Sequence, residues 1–91
     1  MDTQDVKRVV AAYRGKFATL RIEPVFFPRC QSPKTPQERL AHCSAILPEI
    51  EKFLDEGRVE KAMKWLGFVE GCLWSDGIFT IDELRRQNFD G

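Results

Sequence analysis

The sequence predicts an all-α fold: a small helical bundle built on an antiparallel helix hairpin, with an N-terminal helix, a proline-rich connector and a short C-terminal helix. Three observations carry this. Apolar residues recur at spacings of three and four along most of the chain, the period of an amphipathic helix. Helix-start and helix-stop signals flank each such segment. No run alternates apolar and polar residues for long enough to make a strand.

The first helix spans about 3–20. Val6, Val9, Val10, Tyr13, Phe17 and Leu20 form its apolar stripe. Asp2 or Thr3 caps its start, since either side-chain oxygen accepts from the open amides of the first turn, and Asp5 suits the positive end of the helix dipole. Lys7, Arg14 and Arg21 recur every seven residues and share a basic edge. Gly15 lies off the stripe and costs about 1 kcal/mol relative to Ala.

Residues 21–35 form an irregular connector. Pro24, Pro28, Pro33 and Pro36 recur too often for a helix, because each removes an amide donor and restricts the residue before it. Val25-Phe26-Phe27 lies between two of these prolines. The pattern predicts an extended segment that crosses the surface and pins apolar side chains onto the helices.

The second helix spans about 36–56. Thr35-Pro36-Gln37-Glu38 reads as a capping box with proline at the first helical position. Leu40, Cys43, Leu47, Ile50 and Leu54 mark its core face, widened by Ala41, Ala45, Ile46 and Phe53. Pro48 removes the partner of the Ser44 carbonyl, which predicts a kink or a restart there. Gly57 is placed to end the helix in the left-handed conformation.

The third helix spans about 58–75. Val59, Ala62, Met63, Leu66, Val69 and Leu73 make one stripe, and Trp65, Phe68, Cys72 and Trp74 a second. Apolar on so much of its circumference, this helix is predicted to be central. The short link at Gly57 makes the second and third helices antiparallel, so levels match where residue numbers total about 114 or 115. Cys43 then lies level with Cys72, and Ala41 and Ala45 face Gly67 and Gly71, which predicts close backbone approach as the reason for both glycines. Gly77 ends this helix. A last helix over 81–88 opens on a second capping box, Thr80 with Glu83, and Phe79 is placed to staple onto Leu84.

At 91 residues the chain makes one domain, 1–91, whose core suffices without metal or disulfide. No apolar run approaches the roughly 18 residues of a membrane span, and the charged start is not a signal peptide. Three cysteines argue for free thiols in a cytoplasmic, reducing setting. Fourteen basic and fourteen acidic side chains remove bulk charge as an argument for a nucleic-acid partner. That balance hides an asymmetry. Residues 1–39 carry eight basic and four acidic side chains, and residues 40–91 carry six basic and ten acidic. The two halves lie against each other, present two faces, or join copies head to tail as a homo-oligomer.

No catalytic signature emerges. His42 and Cys43 are adjacent, and neighbouring helical residues point about 100° apart, so they share no face. Cys30, His42, Cys43 and Cys72 lack the paired spacing of structural zinc sites, so neither metal nor cofactor is expected. Arg14, Lys16, Arg21 and Arg29, interleaved with Phe17, Phe26 and Phe27, have the chemistry of a single-strand binder, basic groups for phosphates beside aromatics for stacking.

Glu60 to Trp74, with its Trp65-Leu66-Gly67-Phe68 run and Gly71 four residues after Gly67, is followed by Thr80-Ile81-Asp82-Glu83-Leu84. Together with Leu40-Ala41-His42, this resembles a group of small phage and prophage proteins over about half the chain. Members of that group have glutamine where this chain has Glu70, and residues 21–36 have no counterpart in them. The resemblance implies a virus-encoded accessory protein acting in a bacterial cytoplasm, and implies no activity.

The expected function is therefore a non-enzymatic accessory protein that binds a host or phage protein, as an inhibitor of a defence or nucleic-acid-processing enzyme. The alternative is a nucleic-acid-binding accessory protein. The expected contact residues are Phe26, Phe27 and Arg29 of the connector with Trp65 and Trp74; for nucleic acid they are Arg14, Lys16, Arg21 and Arg29. Both expectations require Phe26, Phe27 and their basic neighbours to be accessible.

Overall fold

A computed structural model describes residues 2–89. It contains four helices, α1 (Thr3–Thr19), α2 (Pro36–Asp55), α3 (Val59–Ser75) and α4 (Ile81–Phe89). There is no strand among the described residues. α2 and α3 form the antiparallel hairpin, α1 packs on α2, and α4 closes against α1. One core joins Val9, Val10, Tyr13 and Phe17 of α1 to Leu47 and Ile50 of α2, Leu66, Val69 and Leu73 of α3, and Leu84 of α4.

Local chemistry sets each boundary. Asp2 caps α1 in a full capping box: the Asp5 amide donates to Asp2, and the Asp2 amide donates to Asp5. Thr80 and Glu83 make the same reciprocal pair at α4. At α2 the box is only half formed. The Glu38 amide donates to the Thr35 hydroxyl, but the Glu38 carboxylate accepts from that same hydroxyl and leaves the Thr35 amide aside.

The first three helices end in the same motif, in which the two residues beyond the cap donate back to the last turn. Gly57 and Arg58 donate to Leu54 and Phe53, and Gly77 and Ile78 to Trp74 and Leu73. Both glycines have the positive φ this requires, 77° and 75°. At α1 the residue in that position is Arg21, with φ 58° and donating to Ala18, while Ile22 donates to Phe17. A non-glycine residue thus takes the left-handed conformation, and the following Ile22 is drawn onto the core.

Three expectations are corrected. α2 does not restart at Pro48 but runs on through it as one helix, with Pro48 on its exposed side. α3 is not central. Only Ala62, Leu66, Val69 and Leu73 are buried, and α2 is its main neighbour; Val59, Met63, Phe68 and Trp74 are exposed. Gly67 and Gly71 do not meet α2. Both are exposed, and a Cβ on either would touch nothing within 4 Å. On the helical wheel they fall opposite Ala62 and Leu73, on the outer side of the bundle.

The hairpin register does hold. Arg39 and Asp76 lie level, with Arg39 Nε donating to Asp76 Oδ2 at 2.8 Å and Nη2 donating to the other carboxylate oxygen. Cys43 and Cys72 meet one turn further in, where burial, reinforced by the Cys72 thiol, pushes the Cys43 thiol well up. The oppositely charged halves lie against each other along α1 and α2. Lys7 pairs with Asp55 at 2.7 Å and Arg14 with Glu51 at 2.6 Å.

Candidate functional site

The connector is an extended strap laid on α2. Two of its amides, two residues apart and so on one side of an extended chain, anchor it: Val25 donates to the Ala41 carbonyl at 3.1 Å, and Phe27 donates to His42 Nδ1 at 2.9 Å. Phe27 is half-buried beneath the strap, while Phe26 is turned outward and 58% exposed. An acceptor at Nδ1 requires that nitrogen to be unprotonated. Burial lowers the His42 pKa below its ordinary value, which favours the neutral ring.

From Phe26 a row of four rings crosses three elements. Phe26 of the strap meets His42 of α2 at 6.0 Å between ring centroids and an interplanar angle of 77°. His42 meets Phe68 of α3 at 6.4 Å and 89°. Phe68 meets Trp65 at 5.5 Å and 78°. Every contact is edge-to-face, the arrangement that ring quadrupoles favour. Phe68 is 45% exposed, and Trp65 is half-buried against the core. At the Trp65 end the surface opens into a groove of about 820 Å³ beside the α2–α3 turn.

The expected contact residues separate into groups. Phe26 and Trp65 stand at the two ends of the row, with Phe27 tucked beneath its start. Trp74 is outside the row: it is 56% exposed, but six residues beyond Phe68 it falls on another flank of α3. The basic residues differ in what they contact. Arg14 is paired with Glu51, and the Lys16 ammonium sits 5.6 Å from the centre of the Phe79 ring. Arg21 serves as the α1 terminator. Arg21 and Arg29 are exposed and lie in no ion pair among the described residues.

His42 and Phe68 are the two members of the row that were not among the expected contacts. His42 had a weak signal, as the only histidine in the chain. Phe68 is legible in the sequence as part of the second stripe of α3, between the expected contacts Trp65 and Trp74. Cys43 faces the core, with no exposure, while His42 faces the strap, so the two do not form a nucleophile–base pair. Among the described residues no three His, Cys, Asp or Glu side chains converge as metal ligands would, and no helix is long and apolar enough to cross a membrane.

A second polar cluster is structural. The buried Tyr13 hydroxyl donates to Glu70 Oε2, and Asn88 Nδ2 donates to the same oxygen at 2.6 Å and to the Leu84 carbonyl at 2.8 Å. Glu70 thereby ties α3 to α1 and α4 at once.

Compared with known protein families, with curated proteins and with solved structures, the chain matches none of them.

Proposed function

We propose that this is a non-enzymatic interaction protein whose four-ring row captures a surface of another protein. In keeping with the resemblance of α3 to small phage proteins, it acts as a virus-encoded accessory protein in a bacterial cytoplasm. Its target is a host or viral protein, and the consequence of capture is inhibition of a defence or nucleic-acid-processing enzyme. The observation that carries this reading is the row itself. Phe26 and Phe68 leave large aromatic area in water although the bundle has a complete core without them. Exposed rings held by a strap and two helices are rigid anchors of the kind that dominate protein interfaces.

Affinity purification from phage-infected cells, read by mass spectrometry, tests it. A partner captured by the wild type is expected to be lost with Phe26→Ala/Phe68→Ala, while the helical circular dichroism of that variant is unchanged. Retention of the partner by the double variant would refute the proposal.

A nucleic-acid-binding accessory role has less support. Arg14 is ion-paired with Glu51 and Lys16 lies over the Phe79 ring, and rings standing edge-to-face offer no ladder on which successive bases stack. A gel shift at low salt that weakens steeply as salt rises, and that is lost with Arg21→Ala/Arg29→Ala, would restore it.

A further inference from the structure

The groove at the α2–α3 turn has a chemistry distinct from the rest of the aromatic row. Its wall is apolar, formed by Trp65 and Phe68, and its rim carries Arg58, Lys61 and Lys64 against Glu60 as the single acid. Two of the three cations are held in place. The Arg58 guanidinium lies 5.4 Å and the Lys61 ammonium 4.9 Å from the centre of the Phe53 ring. The third, Lys64, has no carboxylate within ion-pair distance among the described residues. Arg58 has one, Glu56, at 3.8 Å with both side chains largely in water, a contact that a better-placed carboxylate displaces at little cost.

We infer that this groove binds a short acidic segment of a partner protein, which lays one large apolar side chain against the Trp65–Phe68 wall and sets its carboxylates on Arg58, Lys61 and Lys64. The inference rests on the interaction reading above and adds the chemistry of the partner. Three observations specify that chemistry. The groove is open and about 820 Å³ in volume, room for an aromatic or leucine side chain laid on its apolar wall with the flanking residues on its rim. The excess of positive charge on the rim complements an acidic segment and speeds its approach. Anchoring two cations on Phe53 beforehand reduces the ordering that binding would otherwise require. A nucleic-acid strand fits less well, because Trp65 and Phe68 meet at 78° and present no parallel faces to continue a base stack.

The probe is a short fluorescein-labelled peptide with a central Leu-Trp pair flanked on both sides by glutamates, followed by fluorescence polarisation. Two control peptides replace the glutamates by lysines, or the Leu-Trp pair by alanines, and oligothymidylate is the nucleic-acid control. The glutamate peptide is expected to bind, with both controls at least about tenfold weaker and with affinity falling as salt rises. Lys61→Glu/Lys64→Glu, at two exposed positions, and Phe68→Ala are each expected to abolish binding with unchanged helical circular dichroism. Because Phe68→Ala removes a wall and the charge reversal removes the rim, the two separate apolar from ionic recognition. The inference is overturned if the glutamate peptide does not bind, if the lysine peptide binds equally well, if Lys61→Glu/Lys64→Glu retains binding, or if oligothymidylate is preferred. It is also overturned if light scattering shows self-association that the glutamate peptide cannot displace, since a second copy then fills the groove. A partner captured through Phe26 and Phe68 but indifferent to Lys61→Glu/Lys64→Glu refutes this inference alone and leaves the interaction reading in place.

Discussion

Replacing Tyr13 by Phe removes a single oxygen from the centre of the bundle, and its effect follows from the geometry around it. The ring is fully buried and packs on Phe79 at 5.8 Å between centroids; Phe retains that packing. What is lost is the bond from the hydroxyl to Glu70, the residue that also accepts from Asn88 and so links three helices. A hydrogen bond to a charged group contributes about 1.5–3 kcal/mol. Glu70 is half-buried and regains water once the hydroxyl is gone, which places the loss near the lower end, about 1.5 kcal/mol. For a domain of this size that lowers Tm by roughly 6–12 °C. Thermal melting followed by circular dichroism at neutral pH measures it.

A second arm separates the hydroxyl from simple packing. Burial first, and then the Glu70 carboxylate, raise the Tyr13 pKa above its ordinary 10.0. The unfolded chain therefore ionises before the folded one. Stability from this group is complete below pH 10 and is lost as pH rises above it. Tyr13→Phe has no such slope, so the gap between wild type and variant should close in alkaline solution. Tyr13 is the only tyrosine, so phenolate absorbance reports its titration directly. A variant melting within about 2 °C of wild type, or a folded-state titration at the ordinary tyrosine value, would refute the argument.

Three further outcomes rest on other contacts in the same bundle. Lowering pH below the ordinary histidine value of 6.5 should progressively destabilise the strap, because burial depresses the His42 pKa and protonation at Nδ1 removes the acceptor for the Phe27 amide; the Phe27 amide proton shift should move upfield only below 6.5, where the folded ring takes up its proton, and be pH-independent in His42→Gln. Gly67→Ala and Gly71→Ala should each stabilise α3, since a Cβ meets nothing within 4 Å, by about 0.5–1 kcal/mol or roughly 2–8 °C in Tm; a fall in Tm would show a close approach to α2 after all. Arg39→Met should lower Tm more than Asp76→Asn, because the Asp76 carboxylate, 5% exposed, is left buried and unpaired, whereas Arg39, 31% exposed, returns to water.

The legible part of the molecule is the part written in local chemistry. The helices, their caps at Asp2 and Thr80, their stops at Gly57 and Gly77, and the hairpin register that brings Arg39 to Asp76 all depend on residues close in sequence or on one short turn. The Pro-rich strap was legible as non-helical, because its prolines forbid a helix at short range. The left-handed Arg21 was not, because nothing in its own side chain demands that conformation.

The candidate site belongs to the other category. Residues 26, 42 and 68 come together only because the strap returns along α2 and the hairpin sets α3 beside it. Hydrophobic periodicity states that a helix has apolar faces but not how many of them a neighbour will cover. With α2 as the main neighbour of α3, a single narrow stripe was buried, and Phe68 and both mid-helix glycines stayed in water. Glu70 shows the same limit: its charge has no local partner, and its purpose is set by a tyrosine 57 residues earlier. Sequence alone determined where this chain coils and turns, since those forces act within one or two helical turns. Which surfaces remained for a partner was decided by the packing of distant segments, because burial is a property of the assembled neighbours and not of the residue.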